Sequence, residues 1–452
     1  MPQPDKTDAD LERNSLLANL RETHAKKKPR PAARARGPQI EGGSYDFAGH
    51  PAYSEVRIAK AAGQTLGVRS PFFRVAEAVR STEAKIDGHW VVNFASYDYL
   101  SLNLSKSVRE CAAEAMTKWG VSATASRLVG GERSLHGKLE TRLAGFVGTQ
   151  SALAMVSGHA TNLALVSTLL GPEDLVLVDA LAHNSIYEGI RASGAAHATF
   201  PHNDDDWVQK HLSAVRSRYK NVMLIIEGLY SMDGDAPDVA RFVEVKRRNE
   251  TWLMIDEAHS IGVLGATGRG ICEEQDVPPD QVEVIMGTLS KAFCSCGGFI
   301  AGSESLIDLM RYRAPGFVYS VGISTPNAAA AIAAIDAIDE DPNRVKDLRQ
   351  NCRAFKVKAD ALGLDTGASQ GYAVCPVIIG DSLKAVWISN KLLEAGFSVL
   401  PIIAPAVPNK SARLRFFINC AHDEKMIDNV LRETANLLDR SKSMSLSEMA
   451  AS

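Results

Sequence analysis

No stretch of this 452-residue chain reaches the roughly 18 uninterrupted apolar residues of a membrane-crossing helix, and its amino-terminus is polar and charged where a secretion signal needs an apolar run. Neither membrane insertion nor export is expected, and the expected location is the cytoplasm. Cysteine is scarce and odd in number: of the seven (Cys111, Cys272, Cys294, Cys296, Cys352, Cys375 and Cys420), only Cys294 and Cys296 are close together. That pattern speaks against a disulfide framework and for reduced thiols. No second pair or nearby histidine set completes four ligands with Cys294 and Cys296, so no metal site is expected. Excess charge is also lacking, because 50 Lys and Arg against 53 Asp and Glu leave a net charge of -3. A polyanionic partner for the whole molecule is not indicated. No internal repeat is evident, which sets solenoids and propellers aside.

What is present is an average soluble composition, 45% hydrophobic and 23% charged, in a chain long enough for two or three structural units. Residues 1–45 have little apolar content and carry the run Lys26-Lys27-Lys28-Pro29-Arg30 with Arg34 and Arg36, so they read as a disordered basic arm. A solvated tail is the plain interpretation; an electrostatic handle for an acidic carrier protein or anionic lipid is the functional one. The absence of interleaved aromatics speaks against nucleic acid. Residues 46–104 are expected to pack on the body, 105–335 to form the large domain, 336–440 a smaller α+β domain, and 441–452 a polar tail.

The large domain is marked by short apolar runs separated by helix-length segments: Ala152–Val156, Leu175–Val178, Val222–Ile226, Trp252–Ile255, Val282–Ile285 and Phe299–Ala301. Runs apolar on both sides of the pleat predict a mostly parallel sheet covered on both faces, with functional residues at the carboxyl ends of its strands. Beyond residue 335 the patterning predicts helices over 342–362, 382–395 and 423–439, with strands at Phe397–Leu400 and Arg413–Ile418.

Four of those strand ends carry candidate chemistry. Asp256 follows one run and Lys291, in Gly287-Thr288-Leu289-Ser290-Lys291, follows another, thirty-five residues further on. An Asp at a strand end is often only a helix cap, and a lysine there is often only ion-paired. Together they match what a pyridine aldehyde cofactor needs: an acid against the ring nitrogen and an amine that desolvation makes nucleophilic. Ser157-Gly158, between a strand and a helix, suits a phosphate, and His183, after another strand, could stack on a ring.

Glu227-Gly-Leu-Tyr-Ser-Met-Asp-Gly-Asp235, Ile255-Asp-Glu-Ala-His-Ser-Ile-Gly262, Gly268-Arg-Gly270 and Gly287-Thr-Leu-Ser-Lys291, in this order and spacing, resemble the α-oxoamine synthases over about Asn93 to His422. The resemblance implies a fold-type I pyridoxal phosphate (PLP)-dependent transferase, with a seven-stranded large-domain sheet and a smaller C-terminal domain. It implies that Lys291 carries the cofactor covalently and moves the Cα proton, that Asp256 pairs with the pyridine nitrogen, and that His183 stacks on the ring. Ser231 and His259 would lie near the phenolic oxygen, with Ser157, Gly158, His159, Thr288 and Ser290 around the phosphate. Ser320 would reach the phosphate from the neighbouring subunit of a homodimer, and Arg415 would grip the amino-acid carboxylate.

The reaction so implied is decarboxylative condensation of an amino acid with an acyl thioester, on coenzyme A or an acyl carrier protein. Tyr97, where the glycine- and alanine-handling relatives carry Asn, and Ser260 lean towards L-serine and a long acyl chain, as in serine palmitoyltransferase and sphingolipid synthesis. Siblings using alanine or glycine, of the 8-amino-7-oxononanoate synthase or 2-amino-3-ketobutyrate CoA ligase type, are the alternative. A non-catalytic partner subunit or binding module is the alternative of another class, against which the presence of Lys291 argues.

Overall fold

The computed structural model describes residues 46–65, 69–445 and 448–449. The basic arm, residues 1–45, lies outside the described residues. The chain divides between Ala62 and Gly63 into two compact units. The described part of the first holds a short turn, Phe47–Gly49, in which the Ala48 amide donates to the Asp46 side chain, and the helix that begins at Pro51. Proline at a first helical position costs nothing, since its missing N–H would have no partner there.

The second unit begins with an antiparallel meander, β1 (Ala76–Arg80), β2 (Glu83–Ile86) and β3 (His89–Asn93), and β3 pairs in parallel with β12 (Phe397–Ser398). The central sheet comprises β4 (Ser151–Met155), β5 (Leu175–Asp179), β6 (Ala196–Phe200), β7 (Val222–Glu227), β8 (Trp252–Asp256), β9 (Val284–Thr288) and β10 (Gly298–Gly302). Their order is β4-β10-β9-β8-β7-β5-β6, with β10 antiparallel to both neighbours and the rest parallel, so the sheet is seven-stranded and mostly parallel, as expected. Alternate residues serve opposite faces: Leu224, Ile226, Leu253 and Ile255 enter one hydrophobic core, Met223, Ile225 and Met254 the other. Both faces being dry, these strands read as unbroken apolar runs.

A third sheet, β11 (Val374–Gly380), β13 (Leu400–Ile402) and β14 (Ala412–Phe417), has the order β11-β14-β13. On β14 the two-residue period puts Arg413 and Arg415 on one face and Leu414 and Phe416 in the core. The helices of this region are Asn343–Ala361, Ser382–Glu394 and Glu424–Ser443, the last running past its expected end into the segment read as a polar tail. Met449, in that same segment, is buried. No helix among the described residues is long and apolar enough to cross a membrane.

Candidate active site

Four parallel strands end side by side on Asp179, Glu227, Asp256 and Thr288, and loops from these ends enclose a cavity of about 230 Å³. At its floor Asp256 is 4% exposed and held from two sides: Asn162 Nδ2 donates to Oδ2 at 2.7 Å and the Ala258 amide to Oδ1 at 3.0 Å. Asn162 also donates to Ser185 Oγ at 3.0 Å, which fixes the carboxylate relative to the next loop, while its own Oδ1 is buried without a partner.

His183 caps the helix Asn184–Ser193, its Nδ1 2.7 Å from Ser185 Oγ and its backbone amide donating to Glu227 Oε1 at 2.7 Å. Burial holds the imidazole below its ordinary pKa. His259 is more strongly depressed, by burial and then by the charges of Lys291 and Arg415, and its Nδ1 lies 2.7 Å from the Tyr99 hydroxyl. Two neutral rings therefore flank the cavity. Burial, and after it the neighbouring Asp256 carboxylate, push Glu227 well above its ordinary pKa.

Lys291 is drawn down to about 8, because loss of water outweighs the pull of Asp256 and Glu227 and Arg415 adds repulsion. Its Nζ lies 5.6 Å from the centre of the Tyr97 ring. An amine so close to neutral at physiological pH can attack an aldehyde. The loop bearing it is closed by Leu289 N–H to Gly297 O at 3.0 Å and by Thr288 Oγ1 to the same carbonyl at 3.0 Å.

Opposite stands the start of the helix Gly158–Leu169, capped by Ser157. Gly158 meets Thr288 so closely that a Cβ would sit 3.0 Å from Thr288 Oγ1. Ser157, His159, Thr288 and Ser290 all line the cavity here, gathering hydroxyls and helix amides at one end of it.

Arg415 and Tyr97 contact the lining from outside. Arg415 Nη1 donates to Ser231 O at 3.0 Å, its guanidinium lies 4.8 Å over Phe417, and its Nε is buried without a partner. Tyr97 packs edge-on against His259 at 5.8 Å and Phe417 at 4.6 Å. Ser320, after the short helix Pro315–Val318, does not line the cavity of its own chain. Ser260, one of the two residues that leaned towards serine, is fully buried and its hydroxyl is engaged with Glu257, so it secures the loop beyond β8 and faces no substrate. Cys294 donates to Asp98 Oδ1 at 3.2 Å and ties the lysine loop to the segment after Tyr97.

Asn162, Ser185, Glu227 and Tyr99 were not singled out from the sequence. Asn162 lies about one helical turn beyond Gly158 and Glu227 ends an apolar strand, but neither position by itself tells that the side chain faces the cavity.

The donor set fits pyridoxal phosphate: a carboxylate held at one end for a pyridine nitrogen, hydroxyls and helix amides at the other for a phosphate, a nucleophilic amine between them, and neutral imidazoles along the sides. The family described as aminotransferase class I and II matches residues 90–433. The chain is 38% identical over 363 residues to the 8-amino-7-oxononanoate synthase of Methylococcus capsulatus, covering 80% of this chain and 93% of that one. It is 39% identical over 359 residues to the Maricaulis maris protein of the same name, covering 78% and 88%. Among solved structures, a serine palmitoyltransferase from S. paucimobilis with bound PLP-myriocin aldimine superposes with a TM-score of 0.84 at 27% identity, over 88% of this chain and all of that one. The Sphingomonas wittichii serine palmitoyltransferase gives the same values. The protein belongs to the class I and II aminotransferase family of fold-type I PLP-dependent transferases, and within it to the α-oxoamine synthases.

Proposed function

We propose that this protein condenses a small amino acid with an acyl thioester, with loss of carbon dioxide, to release an α-aminoketone. The observation that carries this reading is Lys291 with its pKa of about 8, in one cavity with the buried Asp256 and beside the seat of Arg415. Pyridoxal phosphate is the cofactor; when bound it supplies the electron sink that acidifies the Cα–H bond of the amino acid.

The chain's own side chains do the rest. Asp256 is the carboxylate that would hold the pyridine nitrogen, and Asn162 keeps it from turning. Arg415, with Nε free of partners, grips the amino-acid carboxylate and so sets which bond at Cα faces Lys291. The Lys291 amine removes the Cα proton. Cα then bonds to the thioester carbonyl carbon and the sulfur leaves as thiolate; the carboxylate departs as carbon dioxide, and Lys291 returns the proton to Cα in place of the bond so broken. Neutral His183 and His259 and the Tyr97 ring shield the reacting carbon from water.

For the amino acid, the relatives named 8-amino-7-oxononanoate synthase support L-alanine: a product ending in a ketone, an amine-bearing carbon and a methyl group is what alanine leaves after decarboxylation. The acyl donor is then a thioester of a dicarboxylic acid. A second reading, L-serine with a long acyl chain, draws on the overall likeness to the serine palmitoyltransferases and on Tyr97. A homodimer in which Ser320 completes the phosphate site of its partner accompanies either reading. Titrating the PLP-loaded protein in turn with L-alanine, L-serine and glycine, with Lys291→Ala as control, tests it: a visible-band shift with one amino acid, followed by the aminoketone mass on adding thioester, supports the reading. No cofactor band in the unaltered protein overturns it.

A further inference from the structure

One buried cluster lies outside the cavity and ties together two loops that shape it. Asp179, at the end of β5, is fully buried; its Oδ1 accepts from the Leu181 amide at 2.8 Å and its Oδ2 from the Asn203 amide at 2.8 Å. Leu181 belongs to the turn that delivers His183. On the other side, Asp235 closes the loop after β7, its carbonyl accepting from the Tyr230 amide at 2.9 Å, while the Gly234 amide donates to Tyr230 O at 2.9 Å. That loop carries Ser231, which lines the cavity and whose carbonyl seats Arg415; its next carbonyl, of Met232, accepts from Arg413 at 3.1 Å.

His202 stands between the two. Its Nδ1 lies 2.9 Å from Asp179 Oδ1 and its Nε2 lies 2.8 Å from Asp235 Oδ2, with the ring packed edge-on against Tyr230 at 4.4 Å. Only an imidazolium can donate from both nitrogens at once, so two carboxylates and one charged ring form a rigid strut between loops that are distant in sequence. His202 itself does not line the cavity.

We propose that His202 is a positioning residue: bridging Asp179 and Asp235, it holds the His183 turn and the Arg415 seat in fixed register, and thereby sets amino-acid binding. The inference rests on the function proposed above. Four proteins test it: the unaltered chain, His202→Gln, Asp235→Ala, which cuts the strut, and Asp235→Asn, which keeps an acceptor for Nε2. Steady-state kinetics with varied amino acid are run beside hydrogen exchange at the amides of 180–183 and 228–235. The expected result is an amino-acid KM raised about tenfold or more in Asp235→Ala and His202→Gln, with a smaller change in kcat, both loops exchanging faster together, and KM restored to within about twofold in Asp235→Asn. A loss of kcat that only follows the folded fraction, with KM unchanged, overturns it, as does loosening of one loop without the other. Should the unaltered protein turn over no amino acid, the function reading fails by itself, and exchange alone then decides: joint loosening supports the strut, separate loosening refutes it.

Discussion

Lys291 gains its chemistry from where it sits. With a pKa of about 8, its amine is mostly charged at pH 7 and mostly neutral at pH 9. Covalent uptake of PLP by the cofactor-free protein should therefore quicken as pH rises through about 8 and level off above it, followed by the growth of visible absorbance; a rate flat between pH 7 and 9 would contradict the depressed value. Asn162 offers a second test. It holds Asp256 at 2.7 Å without standing among the groups expected to react. Asn162→Ala should lower kcat by about tenfold while leaving the amino-acid KM near its original value, because the orientation of the carboxylate is lost but the Arg415 seat is not. Asp256 and Lys291 could be read from the sequence because each follows an apolar run; Asn162, Tyr99 and Glu227 could not, since their roles depend on which loops meet in space.

At the level of elements, the site depends on three adjacent strands held in register, with the start of β10 between the ends of β4 and β9. Gly298 of β10 pairs with Met155 of β4 on one side and Thr288 of β9 on the other. A Cβ at Gly298 would come within 2.6 Å of Thr161 Oγ1 and 2.7 Å of Gly158 Cα, so nothing larger than glycine lets the helix Gly158–Leu169 approach the sheet. Gly298→Ala should cost about 1–3 kcal/mol in stability, measured by denaturant unfolding, and weaken PLP binding in equilibrium dialysis. The strands of this sheet were legible as apolar runs with two exceptions. β6 alternates exposed and covered residues, Ala-His-Ala-Thr-Phe, as befits a sheet edge, and so gave no run. β9 begins at Val284, inside the expected run, and extends through Gly287 and Thr288, beyond its expected end at Ile285.

For the molecule as a whole, the charge on His202 links folding to pH. Burial works against that charge, but the hydrogen bonds that His202 donates to Asp179 and Asp235 outweigh it and raise the pKa from 6.5 to about 10. Between those values the folded chain binds a proton the unfolded chain has released, so this contribution is complete below about pH 6.5 and fades as pH rises towards 10. The thermal midpoint should fall across that interval, and His202→Gln should flatten the fall; an equal slope in both proteins would remove the effect. The two-layered core and the C-terminal elements were visible in the periodicity of the sequence, whereas the pairing of β3 with β12 joins residues some 300 positions apart and left no local trace. A similar separation governs β4. Among the described residues it is an edge strand paired with β10 alone, and the two are about 140 residues apart. On a ribosome adding about 5–20 residues each second, β4 emerges and waits roughly 7–28 s with its hydrogen-bonding edge open before a partner exists. The nascent chain must be kept from other edges for that time, and any fragment ending before residue 298 is a strand short of a cofactor site.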